Sequence, residues 1–417
     1  MVEKLKARLE AILPTLRTLG QWLVLSGLAG AACGLAGAAF TWCVAQATAL
    51  RGAHPWLLFC MPIAGLIIVW SYRTAGMEND SGTNQIIASV RGGERPPARL
   101  APLIFLGSVL THLTGGSAGR EGAALQIGGS ISAGIGRLLR LGDRNTNTII
   151  QCGMAGLFSA LFGTPLTATV FAMEVVNVGH FRYAALFPCL LSALIADAIP
   201  RSLGLPAEAY HLGGLPELGP VSLLQCGALA VLAALVSIAF CVLMHEAGRL
   251  YKKYIPNQYL RSLAGAALVI LLTVLEGSGD YNGAGGHIIE LAVQGQVHVP
   301  WAFLLKMIFT ALTLGAGYRG GEIVPTLFIG STFGCAVGPL FGLDPAFGAA
   351  ISMIALFCGV VNCPLASIFL AIELFGGEGL LFFALACALS FLVSGRYSLY
   401  SSQNIVYSKL EARLYQP

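Results

Sequence analysis

Residues Gly115-Gly116-Ser117-Ala118-Gly119-Arg120-Glu121-Gly122 set an arginine and a glutamate in a glycine-rich stretch, ahead of an apolar run to Gly136. Glycines free the backbone just before a helix begins. The first N–H groups of the helix have no partner within it, and they meet the positive end of its dipole, so the place favours an anion. Gly315 to Glu322, followed by a helix from about Val324, repeats the arrangement. Asp80-Ser81-Gly82-Thr83-Asn84 offers a third turn, with a hydroxyl and further backbone donors. Three such turns converging at the middle of a bilayer form an anion site without a buried lysine. Partial charges hold a small anion more gently than a full positive charge, which suits rapid passage. Glu121, an ionisable residue in such a segment, is expected to be functional. Arg120 reads equally as its ion-pair partner. Glu174 and Glu373 end matching apolar helices and read as interface caps or as transport residues.

The elements that position these residues are apolar. Of 417 residues 56% are hydrophobic and 11% charged, against about 25% charged in a soluble domain. Mean hydropathy is +0.76. This composition excludes a soluble enzyme, a disordered chain and a nucleic-acid binder, and a net charge of +4 implies no polyanionic partner. Long apolar segments run at roughly 20–49, 55–72, 148–175, 183–200, 221–246, 262–275, 301–315, 346–374 and 377–395. Shorter glycine-broken pieces at 101–114, 121–136 and 321–343 predict half-helices that stop inside the bilayer. Fifty-two glycines exceed the ordinary level of about 7%. In a membrane they serve close helix packing or a backbone turned toward a ligand.

Residues 1–19 carry Leu5, Leu9, Ile12 and Leu16 at helical spacing among Lys4, Lys6, Arg8 and Arg17, the pattern of an interfacial amphipathic helix on the cytoplasmic face, not of a cleaved leader. With a basic tail at 396–417, both termini are expected in the cytoplasm. The eleven cysteines contain no CxxC pair, and the seven histidines are scattered. The cysteines read as small buried hydrophobes, and neither a metal site nor a cofactor is expected.

The chain also compares with itself. Pro165–Val175 reads PLTATVFAMEV and Pro364–Leu374 reads PLASIFLAIEL, an offset of 199. Gly119–Gly128 and Gly321–Gly330 align at an offset of 202. The three-residue difference predicts a loop change between the repeats. Paired repeats with matched glycine-interrupted segments are the sequence sign of a transporter with a midplane site at the repeat interface. The expected organisation is a first membrane repeat at 20–205 and a second at 206–395.

Gly119-Arg120-Glu121-Gly122 resembles the GREGP motif of the CLC family of chloride channels and anion–proton antiporters. Asp80-Ser81-Gly82-Thr83-Asn84 resembles its GSGIP motif, and Gly321-Glu322-Ile323-Val324-Pro325 its GxFxP motif. Gly285-Gly286-His287-Ile288-Ile289 is similar to a family glycine-rich stretch, and Ser398-Leu399-Tyr400 lies where the family's anion-coordinating tyrosine occurs. The resemblance runs in order from about residue 20 to residue 410. It implies an all-α polytopic fold of two inverted repeats of tilted, partial-depth helices, and a homodimer with one anion pathway per subunit. It implies Glu121 as gating glutamate and proton carrier, and an anion site drawn from Ser81, Gly82, Gly119, Arg120, Gly122, Ile323, Val324 and Tyr400. Burial favours the neutral form of such a glutamate and amide donors favour the charged one, so one side chain can alternate between anion mimic and proton carrier.

Ala123 stands for the proline of GREGP, Glu322-Ile323 for the usual residues of GxFxP, and Val175 where chloride exchangers often carry an internal glutamate. These departures resemble the bacterial fluoride–proton antiporter branch, with Glu322 as candidate second proton acceptor. Ser81, in contrast, is the residue type of chloride and nitrate transporters, and Met77 lies close by. The expected function is therefore fluoride–proton antiport across the inner membrane, with a chloride–proton antiporter or a passive chloride channel of the same fold as alternatives. No CBS domains are expected after the last helix. A membrane-embedded enzyme using His112 is the reading from another class. It lacks an HExxH or GxSxG motif and leaves the repeat unexplained.

Overall fold

The computed structural model describes residues 2–205, 207–297, 299–406 and 408–409, with side chains described from residue 13 onward. The first repeat runs α1 (Val2–Ala53), α2 (Met61–Thr74), α3 (Thr83–Val90), α4 (Leu100–Leu113), α5 (Glu121–Leu138), α6 (Asp143–Phe162), α7 (Pro165–Glu174) and α8 (Leu186–Ser202). The second runs α9 (Pro220–Tyr254), α10 (Gln258–Glu276), α11 (Gly286–Val293), α12 (Ala302–Gly315), α13 (Ile323–Val337), α14 (Pro345–Val361), α15 (Pro364–Phe375) and α16 (Leu380–Val393). Eight helices match eight in order, with short α3 and α11 of 8 residues each and α4 and α12 of 14 each. Among the described residues, six helical stretches are long and apolar enough to cross a membrane. Of the three glycine-broken pieces, 101–114 forms the short α4 of 14 residues as expected, whereas 121–136 lies in α5 of 18 residues and 321–343 holds Ile323–Phe341, one of the six long stretches.

Three contacts show how the repeats are related. Gly119 and Gly321 form an antiparallel bridge, each N–H donating to the other's carbonyl at 2.7 and 2.8 Å. Glu373, at the end of α15, accepts from the N–H groups of Leu166 and Thr167 at the start of α7. Glu174, at the end of α7, accepts from Leu365 and Ala366 at the start of α15. Equivalent helices run head to tail and cap each other, so one repeat is turned over relative to the other. The prolines Pro165 and Pro364 tolerate the first helical position, and the carboxylates satisfy the orphan N–H groups that follow.

The three-residue offset change is not a loop change. Helix α14 has 17 residues where α6 has 20, so the second repeat omits nearly one helical turn. Both helices end in a left-handed residue, Gly163 in one and Asn362 in the other. Both form the centre of the molecule, α14 buried from Ala346 to Val361 and α6 from Ile149 to Phe162. Glycine lets the neighbouring helices reach them. A methyl at Gly128 of α5 would sit 2.1 Å from the carbonyl oxygen of Gly153 in α6, and one at Gly330 of α13 would sit 2.7 Å from that of Ser352 in α14. Backbones in contact are the close crossing expected of small residues in membranes.

The basic stretch at the N-terminus does not form a separate helix. Helix α1 continues from Val2 to Ala53 without interruption. Leu5, Leu9 and Ile12 lie outside the residues whose side chains are described, and Leu13 and Leu16 are exposed. Past α16 the chain folds back. Asn404-Ile405 pairs in parallel with Asn177-Val178, and Leu399 N–H donates to Val360 O. The tail beyond Lys409 lies outside the described residues.

Candidate functional site

The bridged glycines bring the starts of α5 and α13 together. Glu121, the first residue of α5, is fully buried. Its Oε2 accepts from the N–H of Arg120 at 2.9 Å and from the N–H of Val324 at 3.3 Å. The carboxylate thus sits between amides of both repeats, at two helix N-termini. Its Oε1 has no hydrogen-bond partner and lies 3.9 Å from Arg120 Nε.

The glycines make this possible by leaving room. A methyl at Gly119 would come within 2.7 Å of Glu121 Oε2, and one at Gly321 within 2.4 Å of Gly122 N. A methyl at Gly122 would meet Glu322 Oε2 at 2.9 Å. Glu322 therefore lies against the same turn, and its Oε2 is buried without a hydrogen-bond partner. It also lines a cavity of about 620 Å³, together with Glu78, Asp80, Ser81, Asn84 and Arg319.

The third turn joins through α3. Gly82, at φ +63, precedes α3, and a methyl there would lie 3.4 Å from Gln126 Nε2. Thr83 Oγ1 donates to Gly122 O, and Gln126 Nε2 reaches both Thr83 Oγ1 and Gly122 O, each at 3.3 Å. Asp80 is paired with Arg319 Nη1 at 3.0 Å, which ties this turn to the one preceding α13. Ser81 itself is exposed on the cavity wall. Tyr400 is buried, its hydroxyl has no partner, and it lies within electrostatic reach of Glu322 and Glu121. Asn84 holds the Tyr400 segment by accepting from Ser402 N–H at 2.9 Å. Ile323 is fully buried at the start of α13.

Arg120 is not simply the partner of Glu121. Its Nη2 donates to Glu208 Oε1 at 2.8 Å, so one guanidinium serves two carboxylates. Sequence reasoning missed Glu208, which lies in the polar stretch between α8 and α9 and has no helical spacing to announce it. It also missed Lys306. The site was expected to do without a buried lysine, yet Lys306 of α12 is fully buried. Its ammonium donates to Tyr281 O and Gly283 O at 3.1 and 2.7 Å and lies 5.0 Å from the centre of the Phe328 ring. Gly283 N–H in turn donates to Gly116 O, so this lysine braces the turn that carries Glu121. The lone cation in the apolar pattern of α12 was the available signal. His112 hydrogen-bonds through Nδ1 to Ser108 O in its own helix. Among the described residues no cluster of metal ligands occurs, and all eleven cysteines are free thiols.

The chain matches the family model described as voltage gated chloride channel over residues 64–395. It is 35% identical over 397 residues to the chloride/fluoride channel protein of Pseudomonas syringae pv. tomato, covering 94% of this chain and 88% of that one. It is 27% identical over 310 residues to the H(+)/Cl(-) exchange transporter ClcA of Vibrio cholerae, covering 69% and 65%. Its structure superposes on that of a CLC-type fluoride/proton antiporter with a TM-score of 0.90 at 33% identity, covering 93% of this chain and 98% of the other. A slow cyanobacterial Cl-/H+ antiporter shares the fold, with a TM-score of 0.76 at 22% identity.

Proposed function

Because the chain belongs to the CLC family, we propose that it exchanges fluoride for protons across a membrane, with Glu121 as the gate. The observation that carries this reading is the Glu121 carboxylate held by the amides of Arg120 and Val324. A carboxylate oxygen there stands where an anion would be bound. When Glu121 takes a proton it no longer needs those amides, and an anion can accept from them instead. Gly119, Arg120, Gly122, Ile323 and Val324 frame that position, and Gly82 and Tyr400 approach it from the side of the cavity. Ser81 lines the entry to it.

Glu322 serves as the second proton acceptor. Its unpartnered oxygen between Gly122 and the cavity supports this role. Position 175, just past α7, is a valine and supplies no acid, and Glu174, the last residue of α7, is committed to capping α15. The choice of fluoride rests on two relatives above 30% identity that carry fluoride in their descriptions. The protein is a transporter and not an enzyme, with repeats divided between α8 and α9. Its place is the inner membrane, with both termini in the cytoplasm. It works as a homodimer through the face of α8 and α16, where Leu186, Phe187, Leu194 and Leu381 are exposed.

Protein in liposomes, loaded with fluoride or chloride and with pH recorded, tests the assignment. A fluoride gradient should drive protons uphill, and chloride should do so weakly. Anion flux that leaves pH untouched makes the protein a channel. Equal pumping by chloride removes the fluoride assignment.

A further inference from the structure

The structure has a second carboxylate at the gate, and the inverted repeat gives it a place. After α16 the chain folds back over the end of α14, where Leu399 N–H donates to Val360 O, and Leu399 and Ser401 on either side of Tyr400 line the cavity with Ser81 and Glu322. After α8 the chain does the same over the end of α6, where Glu208 N–H donates to Phe162 O at 3.1 Å. The segment carrying Glu208 is thus the first repeat's counterpart of the segment carrying Tyr400. Since one repeat is turned over relative to the other, it covers the opposite mouth of the site.

Along this mouth side-chain exposure rises from 0% at Glu121 through 17% at Arg120 to 25% at Glu208. Glu208 Oε1 lies 2.8 Å from Arg120 Nη2, and Arg120 Nε lies 3.9 Å from Glu121 Oε1. One cation is shared by a closed carboxylate and an open one. Resting on the antiport reading, we propose that Glu208 is the proton relay between Glu121 and water on the side away from the Ser81 cavity.

The exchange balances. The Glu208 carboxyl gives up its proton, water carries it past the guanidinium, and the Glu121 carboxylate receives it. Glu208 becomes the carboxylate paired with Arg120 and is reloaded from bulk water. In both states Arg120 faces one ionised and one neutral acid, so the transfer leaves no uncompensated buried charge. Among the described residues, the other charged or titratable groups near the relay include Tyr210, Arg201 and Asp197, the last ion-paired with Arg201. Tyr210 lies on the same segment and feels Glu208, Arg120, Glu290 of α11 and Glu121. Arg201 of α8 donates to Gly163 O at 3.0 Å, beside Ala207.

Glu208→Gln separates a relay from a brace, because the amide oxygen still accepts from Arg120. In liposomes with the wild-type protein as reference, fluoride-driven proton movement by Glu208→Gln should slow about tenfold, less than the 10²–10⁴ a positioned acid contributes to bond-breaking steps. Its dependence on pH at the Glu208 side should flatten, and Glu208→Asp should restore part of both. A Glu208→Gln variant with wild-type rate and pH profile overturns the relay while the antiport reading stands. Failure of the wild-type protein to move protons overturns the antiport reading and the relay with it. Loss of rate with an unchanged pH profile makes Glu208 a brace only and also overturns the relay.

Discussion

Replacing Glu121 with glutamine tests whether the carboxylate occupies the anion's own place. In the native protein Oε2 accepts from two amides, Arg120 N–H at 2.9 Å and Val324 N–H at 3.3 Å. A hydrogen bond to a charged group contributes about 1.5–3 kcal/mol, and a neutral one about 0.5–1.5 kcal/mol. Removing the charge therefore weakens the hold of the side chain by about 1 kcal/mol per bond, or about 2 kcal/mol for the pair. A fluoride ion competing for the same amides gains that difference, which corresponds to about 30-fold tighter binding. The longer second bond sets this as an upper value. Titration calorimetry of the purified variant with fluoride reads the affinity, and liposome assays read the protons. Glu121→Gln should bind fluoride more tightly and move no protons. Unchanged or weaker fluoride binding refutes the argument that carboxylate and anion compete. Persistent proton pumping refutes the role of Glu121 altogether.

Other perturbations probe the surrounding parts. Glu322→Gln should abolish proton coupling while leaving fluoride flux, read as fluoride release without a pH change; coupling at the wild-type ratio removes Glu322 from the proton path. Gly119→Ala puts a methyl within 2.7 Å of Glu121 Oε2. It should expel the carboxylate from its amides and give fluoride leak with loss of coupling. Lys306→Met leaves Tyr281 O and Gly283 O without their donor. At about 1–3 kcal/mol for each buried unsatisfied group, less the cost of burying the charge, the net loss is about 1–3 kcal/mol. It should appear as a lowered Tm in detergent, and an unchanged Tm counts against the brace. Glu174→Gln and Glu373→Gln should each lower stability by about 1 kcal/mol, as lost helix caps do, with fluoride-coupled proton movement retained. Loss of that movement in Glu174→Gln would make it a transport residue.

The sequence carried the fold further than it carried the site. The glycine-broken segment at 101–114 marked the short α4, because a span needs about 20 apolar residues and this piece is shorter, but the same sign at 321–343 misled, since Ile323–Phe341 is long and apolar enough to cross. The repeat was legible from PLTATVFAMEV against PLASIFLAIEL, and Glu121 from the polar glycine turn around it. The location of the three omitted residues was not, since a missing helical turn and a shorter loop leave the same gap in an alignment. Glu208 was hidden for a related reason. Its segment has neither helical nor strand periodicity, and only folding back over α6 brings it to Arg120. The capping of α7 and α15 across repeats was equally invisible, because each carboxylate meets amides about two hundred residues away.

The inverted repeat explains the placement of the acids better than either half does alone. The backbone is nearly symmetric at the site, with Gly119 bridged to Gly321 and two helices starting on either side. At the offset of 202 that joins these glycines, Arg120 corresponds to Glu322 and Glu121 to Ile323. A symmetric pair of glutamates would place two carboxylates against one set of amides, where like charges oppose joint ionisation. The shift by one residue avoids this. It turns Glu121 onto the amides of Arg120 and Val324, and it leaves Glu322 facing Gly122 and the cavity with an oxygen free. Two acids thus approach the same glycine turn from different sides without competing for one position. Exchanging the residue types at 322 and 323 should then cost coupling even though composition is unchanged. A variant carrying Glu322→Ile with Ile323→Glu that still couples fluoride to protons at the wild-type ratio would show that only the number of acids matters, and not the side from which each one reaches the turn.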